Sequence, residues 1–158
     1  MKKLFILMCI FAAVFCAVYG HAAPKDESIT VYFLDRRMHT LVPVEYTVKA
    51  SSSVKTANKI ISSLENKKSD EVINLLPPDS GVSVKQEKNT AVVNIPTDCK
   101  FPLNSSYENE SLFVYQLVNS LTSIDGIDYV KFTVQGKSVK KFLGFLDMRE
   151  IFTPDYDI

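Results

Sequence analysis

Two residue types suited to nucleophilic catalysis occur in this sequence, a cysteine at Cys99 and a histidine at His39. A cysteine becomes an effective nucleophile when a neighbouring base removes the proton of its thiol. The two residues are far apart in the sequence, so only the fold decides whether they meet. A hydrolase that uses Cys99 with His39 is one interpretation. A partly buried, structural Cys99 is the simpler one.

Other signals of catalysis or metal binding are weak. The sequence has no Gly-x-Ser-x-Gly elbow, no Gly-rich phosphate loop and no His-Glu-x-x-His helix. One cysteine and one histidine beyond the N-terminal segment provide fewer ligands than zinc usually requires. Asp155 and Asp157 could contact calcium, but a mobile acidic tail is the simpler interpretation. We therefore expect no cofactor, no metal and no catalytic residue.

A short basic stretch, Arg36, Arg37 and Met38, follows a strongly apolar run. Two cations beside a flexible apolar side chain could contact anionic lipid head groups or an acidic protein. A solvated connection between two strands is the simpler interpretation. We call residues 36–39 the basic tip.

The N-terminal residues 1–22 have the features of a signal peptide. Lys2 and Lys3 precede an apolar run that ends in small residues, and cleavage after Ala22 fits best. A lipid on Cys16 is an alternative. So is a retained helix, although the run is shorter than the roughly 20 apolar residues that cross a bilayer comfortably. The sequence thus predicts an exported protein, periplasmic or extracellular, with possible anchoring at the membrane.

Charge and cysteine content argue against nucleic-acid binding and, after cleavage, against an intramolecular disulfide. The 18 basic and 18 acidic residues balance, and their scattered positions do not form the basic surface that binds nucleic acid. Because Cys9 and Cys16 lie in the signal segment, cleavage would leave Cys99 alone, without an intramolecular disulfide.

Hydrophobic periodicity predicts strands and helices beyond the signal. Apolar runs and two-residue alternation indicate strands, whereas three- and four-residue steps indicate helices. The predicted strands are 29–34, 41–48, 82–86, 90–95 and 129–134. The predicted helices are 53–66 and a second that follows a Ser105–Glu108 capping box and ends before Asp125-Gly126.

Several turns and boundaries are also predicted. Because proline cannot donate to a ladder, Pro43 indicates that its strand lies at a sheet edge or that its amide position faces solvent. Asn89 suits a positive backbone angle in a hairpin turn. We assign 23–28 to a linker, 29–152 to a single domain and 153–158 to a frayed tail. The order of elements indicates an α+β fold, a mostly antiparallel sheet with two helices packed on one face.

The sequence resembles the GerMN family, a domain of sporulation and spore germination proteins. Val31-Tyr32-Phe33-Leu34-Asp35, followed by Pro43, resembles the family's opening hairpin, and Leu76-Pro77-Pro78 resembles its proline after the first helix. Asn119-Ser120-Leu121-Thr122 resembles its helix end. The residues that match family positions are Pro43, Pro77, Asn94, Asn119, Leu121, Thr122 and Gly136.

Two positions depart from the family pattern. Leu64-Glu65-Asn66-Lys67 lacks the usual glycine and proline, and Asn94 replaces an aspartate. The resemblance implies a fold similar to the ring-building domains of secretion systems. It also implies a non-catalytic domain outside the cytoplasm, often tethered to the membrane, that helps assemble an envelope complex. Envelope proteins, or other copies of the chain, are the expected partners.

Overall fold

The computed structural model describes residues 26–49, 52–67, 69–102 and 104–158. The predicted signal peptide, 1–22, and the first three linker residues lie outside these ranges, so cleavage and anchoring stay predictions. The strands are β1 (Asp26–Asp35), β2 (Leu41–Lys49), β3 (Val72–Ile73), β4 (Ser83–Glu87), β5 (Thr90–Ile95) and β6 (Tyr129–Val134). The helices are α1 (Ser53–Asn66) and α2 (Tyr107–Leu121).

Helix α1 forms where the sequence predicted it, because its apolar stripe is buried. Ala57, Ile60, Ile61 and Leu64 are buried, and α1 packs on β4 and β1. The helix ends without the family's glycine and proline. Instead, the Asn74 side chain donates to the backbone carbonyls of Glu65 and Lys67, two groups that the end of a helix leaves without intrahelical partners.

Helix α2 is the most enclosed element, with buried residues on almost every side. Its N-cap is Ser106, whose hydroxyl accepts from the Asn109 amide at 3.1 Å. The predicted capping box, which began at Ser105, is therefore wrong by one residue. The Ser105 hydroxyl instead donates to the Leu143 carbonyl.

The strands form two three-stranded sheets, in the orders β2-β1-β3 and β4-β5-β6. All pairs are antiparallel except β5 with β6. Parallel neighbours require a crossover connection, and α2 lies within the one that joins β5 to β6. The α+β class with two helices is confirmed. The strands divide between two sheets, and hydroxyls at the end of α2 accept from the Thr30 and Tyr32 amides on the side of β1 away from β2.

Three local predictions are corrected by the structure. Strand β1 begins at Asp26, so residues 26–28 belong to the sheet and not to a linker. In the β4–β5 turn the positive angle belongs to Lys88, with φ 57°, and not to Asn89. The tail at 153–158 is packed: the Tyr156 ring stacks on Tyr32 at 5.7 Å, and the Ile158 carbonyl accepts from the Leu41 amide.

Candidate interaction site

The structure does not bring Cys99 and His39 together. Cys99 is partly exposed in an open surface cavity of about 410 Å³, whose described lining contains no histidine. His39 is exposed in the basic tip, where its backbone amide donates to the Asp35 carboxylate at 2.9 Å. The described lining of the cavity consists of Pro77, Pro78, Asp79, Ser80, Gly81, Pro96, Asp98, Cys99 and Lys100.

The electrostatic surroundings of Cys99 oppose its use as a nucleophile. Burial, and then the negative charges of Asp98 and Glu65, raises the pKa of the thiol. Glu65 is held in place because its carboxylate accepts from both the amide and the hydroxyl of Ser80. Catalytic cysteines have a lowered pKa and lie near cations, so this environment suits a structural thiol.

The basic tip is ordered by local hydrogen bonds. The Asp35 carboxylate accepts from the amides of His39 and Thr40, and the His39 bond holds the pKa of Asp35 below its usual value. Met38 adopts a φ of 63°, which this tight turn imposes, and its side chain is 40% exposed. The Arg36 guanidinium donates to the Asp70 carbonyl. The Arg37 backbone amide also contributes to the contacts of the Asp35 carboxylate, whereas its exposed guanidinium has no hydrogen bond or ion pair in the described structure.

The family-like segment at the end of α2 closes one edge of the first sheet. The Ser120 hydroxyl accepts from the Tyr32 amide at 2.8 Å, and the Ser123 hydroxyl accepts from the Thr30 amide at 3.1 Å. Each hydroxyl also donates back into the helix, Ser120 to the Gln116 carbonyl and Ser123 to that of Ser120, which orients its acceptor side towards β1.

Asn119 fastens the C-terminal tail to the same helix end. Its side-chain amide donates to the Asp155 carbonyl at 2.6 Å, and its carbonyl accepts from the Asp155 amide at 3.0 Å. These two hydrogen bonds resemble the pair that two facing backbone residues exchange between antiparallel strands. Leu121 is fully buried, and the Thr122 hydroxyl donates to the Val118 carbonyl. The three matched positions Asn119, Leu121 and Thr122 therefore maintain the fold.

Asn94 and Gly136 meet at the other matched turn. The Asn94 side-chain oxygen accepts from the Gly136 amide at 2.6 Å and from the Thr133 hydroxyl at 3.2 Å. Gly136 has a φ of 73° in the two-residue turn between Val134 and Lys137, whose backbones exchange two hydrogen bonds. An amide oxygen satisfies both donors, which explains how asparagine replaces the family's aspartate.

A buried carboxylate that the sequence reasoning missed lies at the start of α2. Glu110 is fully buried, and its two oxygens accept from the amides of Leu143, Phe145 and Leu146 at 2.7–3.0 Å. Successive amides in a loop form a concave anion site, and here the ligand is part of the chain. Its signal was available: Glu110 precedes Val114, Leu117 and Leu121 at apolar spacing, so it lies on the buried face.

The outer edge of β2 is the open side of the first sheet, and this edge includes Pro43. The Thr30 and Tyr32 amides point away from β2, so their partners across the ladder, Glu45 and Pro43, also direct their backbone groups outward. The Leu41 amide already donates to Ile158, and Pro43 has no amide. The outward backbone of β2 from Glu45 onward has no partner strand in the described structure.

Membrane-spanning helices and metal sites can be assessed for the residues that the structure describes. These residues contain no helix long and apolar enough to cross a membrane. Within the same ranges, no group of three or more His, Cys, Asp or Glu side chains is arranged to hold a metal ion.

Comparisons with known proteins identify a family and a fold. A family profile described as sporulation and spore germination matches residues 30–140. A search of curated proteins found no significant match. Three solved structures resemble this chain at 18–21% identity, a level that supports the fold alone.

The solved structures come from two bacteria. The first GerMN domain of the sporulation protein GerM from Bacillus subtilis has a TM-score of 0.62 and 21% identity, covering 80% of this chain and 97% of that one. The tandem GerMN domains of GerM score 0.63 at 21% identity, covering 82% and 46%, so this chain spans about half of the tandem pair. A Clostridium perfringens protein provisionally described as a lipoprotein scores 0.57 at 18%, covering 82% and 88%.

Proposed function

Since this chain belongs to the GerMN family of sporulation and spore germination domains, we propose that it is a non-catalytic binding module that helps assemble a protein complex in the bacterial envelope. The observation that carries this proposal is the open outer edge of β2. Peptide groups at a sheet edge bind an incoming strand through main-chain hydrogen bonds, and the alternating side chains select which strand fits.

The edge is suited to selective binding because the first part of its strand is not available to a partner. Tail residue Ile158 covers the start of β2, and Pro43 removes one amide, so the available segment is Glu45 to Lys49. On the outer face of this segment the side chains of Glu45, Thr47 and Lys49 are exposed. A partner strand therefore meets one acidic, one polar and one basic side chain in a fixed order.

The location of the module is part of the same proposal. Export through residues 1–22 would place the domain outside the cytoplasmic membrane, either released after Ala22 or tethered through Cys16 or a retained signal. The similarity to a Clostridium perfringens protein with a provisional lipoprotein description supports the tethered arrangement. Intact-mass measurement of the protein from membrane and soluble fractions separates the three cases, and an unprocessed, cytoplasmic protein would contradict export.

Site-specific photo-crosslinking in producing cells tests the binding edge. A photoreactive residue at Thr47 should yield a crosslinked envelope protein or a crosslinked second copy. The same residue at Lys85, which is exposed on the outer strand of the second sheet, is the matched control. A Thr47 pattern no different from the Lys85 pattern would reject β2 as the binding edge.

The basic tip offers a second contact with an anionic surface. Arg37 and Met38 are exposed there, whereas Arg36 is engaged with Asp70. Arg37→Glu should therefore reduce binding to vesicles with an anionic lipid more than Arg36→Glu does, as measured by vesicle co-sedimentation. Equal binding by both variants and the unmodified protein would remove the tip from the proposal.

The hydrolase alternative makes a different prediction at Cys99. For a structural thiol, the raised pKa of Cys99 keeps it protonated at pH 8 more fully than a free cysteine. Alkylation by iodoacetamide should therefore be slow and should accelerate only at higher pH. Cys99→Ala should leave the cellular function intact. Rapid alkylation at neutral pH, together with loss of function in a folded Cys99→Ala protein, would favour chemistry over assembly.

A further inference from the structure

We propose that the β2 edge pairs with the β2 edge of a second copy of this chain, antiparallel about a two-fold axis at Thr47. Each Glu45 then faces Lys49 of the other copy, and the first sheets of both copies join into one continuous sheet. This inference rests on the proposed function, because it names the partner of the same edge.

The backbone allows this register in full. Glu45, Thr47 and Lys49 all direct their backbone groups outward, by the alternation that Thr30 and Tyr32 establish across the β1–β2 ladder. In an antiparallel pair, two outward residues that face each other exchange two hydrogen bonds. Thr47 facing its own copy, with Glu45 facing Lys49 on either side, gives three such pairs. The exposed Lys59 ammonium donates to the Lys49 carbonyl at 3.5 Å, a contact that a flexible side chain can release.

Competing registers are less favourable for identifiable reasons. An axis at Glu45 sets two carboxylates directly opposite each other and requires the Leu41 amide, which Ile158 already occupies. An axis at Tyr46 brings Pro43 opposite Lys49, and proline lacks the donor for one bond in each half. With the axis at Thr47, Pro43 falls beyond the paired segment. Pro43 and the Ile158 cap therefore disfavour registers shifted towards the start of β2.

Charge complementarity selects a second copy as the occupant. Glu45 and Lys49 are exposed and lie on one face of β2, one on each side of the axis. Each chain supplies one acidic and one basic side chain, and the two-fold axis sets each Glu45 opposite Lys49 of the other copy. The interface therefore contains two acid–base pairs, because an isologous interface uses each contact twice. On the opposite face Tyr46 meets Val48 of the other copy, and both are only partly covered in the monomer.

Charge reversal with rescue tests the pairing in solution. Sedimentation velocity over a concentration series should show a reversible dimer for the purified protein. Glu45→Lys and Lys49→Glu should each weaken the dimer about tenfold or more, since each places like charges opposite each other twice. A one-to-one mixture of the two variants should restore dimers, and so should the double variant, because both recreate the acid–base pairs.

Two controls keep the result specific. Lys85→Glu makes the same charge change on the outer strand β4 and should leave the dimer unchanged. Lys49 also faces Asp26 within the chain, so Lys49→Glu adds a repulsion there, whereas Glu45 faces Thr30 and Glu45→Lys does not. Circular dichroism and urea midpoints check that each variant is folded. Glu45→Lys tests the dimer without adding a repulsion inside the chain.

Amide hydrogen exchange reads the register directly. The amides of Glu45 and Thr47 should exchange more slowly as protein concentration rises, whereas amides of β4 should not change. A protein that stays monomeric at all concentrations, or a dimer indifferent to both charge reversals, would overturn the pairing. A Thr47 crosslink to a different envelope protein with no self-association would reject this inference while supporting the binding edge. If neither self-association nor a Thr47-specific crosslink is found, the β2 edge is rejected as a binding site.

Discussion

The two long edges of the β1–β2 pair differ in how their backbone groups are satisfied. On the β1 side the amides of Thr30 and Tyr32 are bound by serine hydroxyls of α2. On the β2 side the backbone from Glu45 onward faces outward without a partner strand in the described structure. One edge is closed by the protein's own helix, and the other is open to another strand.

This difference separates residues that maintain the fold from residues that can act outside it. Asn119, Leu121 and Thr122 match the family pattern, yet all three are used internally at the closed edge and the tail. The residues available for a partner, Glu45, Thr47 and Lys49, carry no family motif. The matched motif at the end of α2 therefore maintains the structure, whereas the binding function that we propose rests on the open edge.

The largest expected effect is at the buried carboxylate that holds the C-terminal segment on the closed side. Glu110→Ala leaves the amides of Leu143, Phe145 and Leu146 without their acceptor, and should lower the free energy of unfolding by about 3–5 kcal/mol. Urea denaturation measures this loss. Glu108→Ala, in the same helical turn but exposed, should cost far less. Similar losses for both variants would contradict the assigned role.

A smaller loss is expected where the tail joins the helix. Asn119→Ala removes both hydrogen bonds to the Asp155 backbone and should cost about 2 kcal/mol. Limited proteolysis should then cut residues 153–158 more readily, because their anchor is gone. Asn66→Ala on α1, which loses one exposed hydrogen bond, is the matched control. An unchanged cleavage rate would show that the tail is held by other contacts.

Removing a serine hydroxyl that binds the β1 edge should lower the free energy of unfolding moderately. Ser120→Ala leaves the half-buried Tyr32 amide without an acceptor and should cost about 1 kcal/mol. Hydrogen exchange at Tyr32 should accelerate, while exchange in β5 should not. Ser62→Ala, at an exposed position of α1, should change neither stability nor exchange. Continued protection of Tyr32 in the variant would show that Ser120 is not its essential partner.

The smallest stability effect is expected on the open side. Glu45→Gln changes an exposed side chain of β2 and should shift the free energy of unfolding by less than about 0.5 kcal/mol. The same variant should weaken self-association measurably, because it removes one charge of each acid–base pair. A large loss of stability would indicate that the β2 edge supports the monomer, and the contrast between the two edges would disappear.

Local patterns predicted the elements well where one interaction dominates. The stripe of α1 and the alternation of β5 and β6 placed these elements correctly, because burial of one face decides such segments. Predictions failed where neighbouring polar residues compete for one role. Ser105 and Ser106 are both good caps, and Lys88 takes the positive angle expected of Asn89, so residue preference alone did not choose between the neighbours.

The sequence by itself determined the α+β class, the two helices, the position of Pro43 on an outer strand and the family, because these depend on periodicity and residue order. Only the tertiary structure decided that Cys99 and His39 lie apart, that Glu110 binds three distant amides and that the tail packs on Tyr32 and Leu41. Each of these joins residues far apart along the chain, and no local pattern encodes which distant backbone groups will be left in need of a partner.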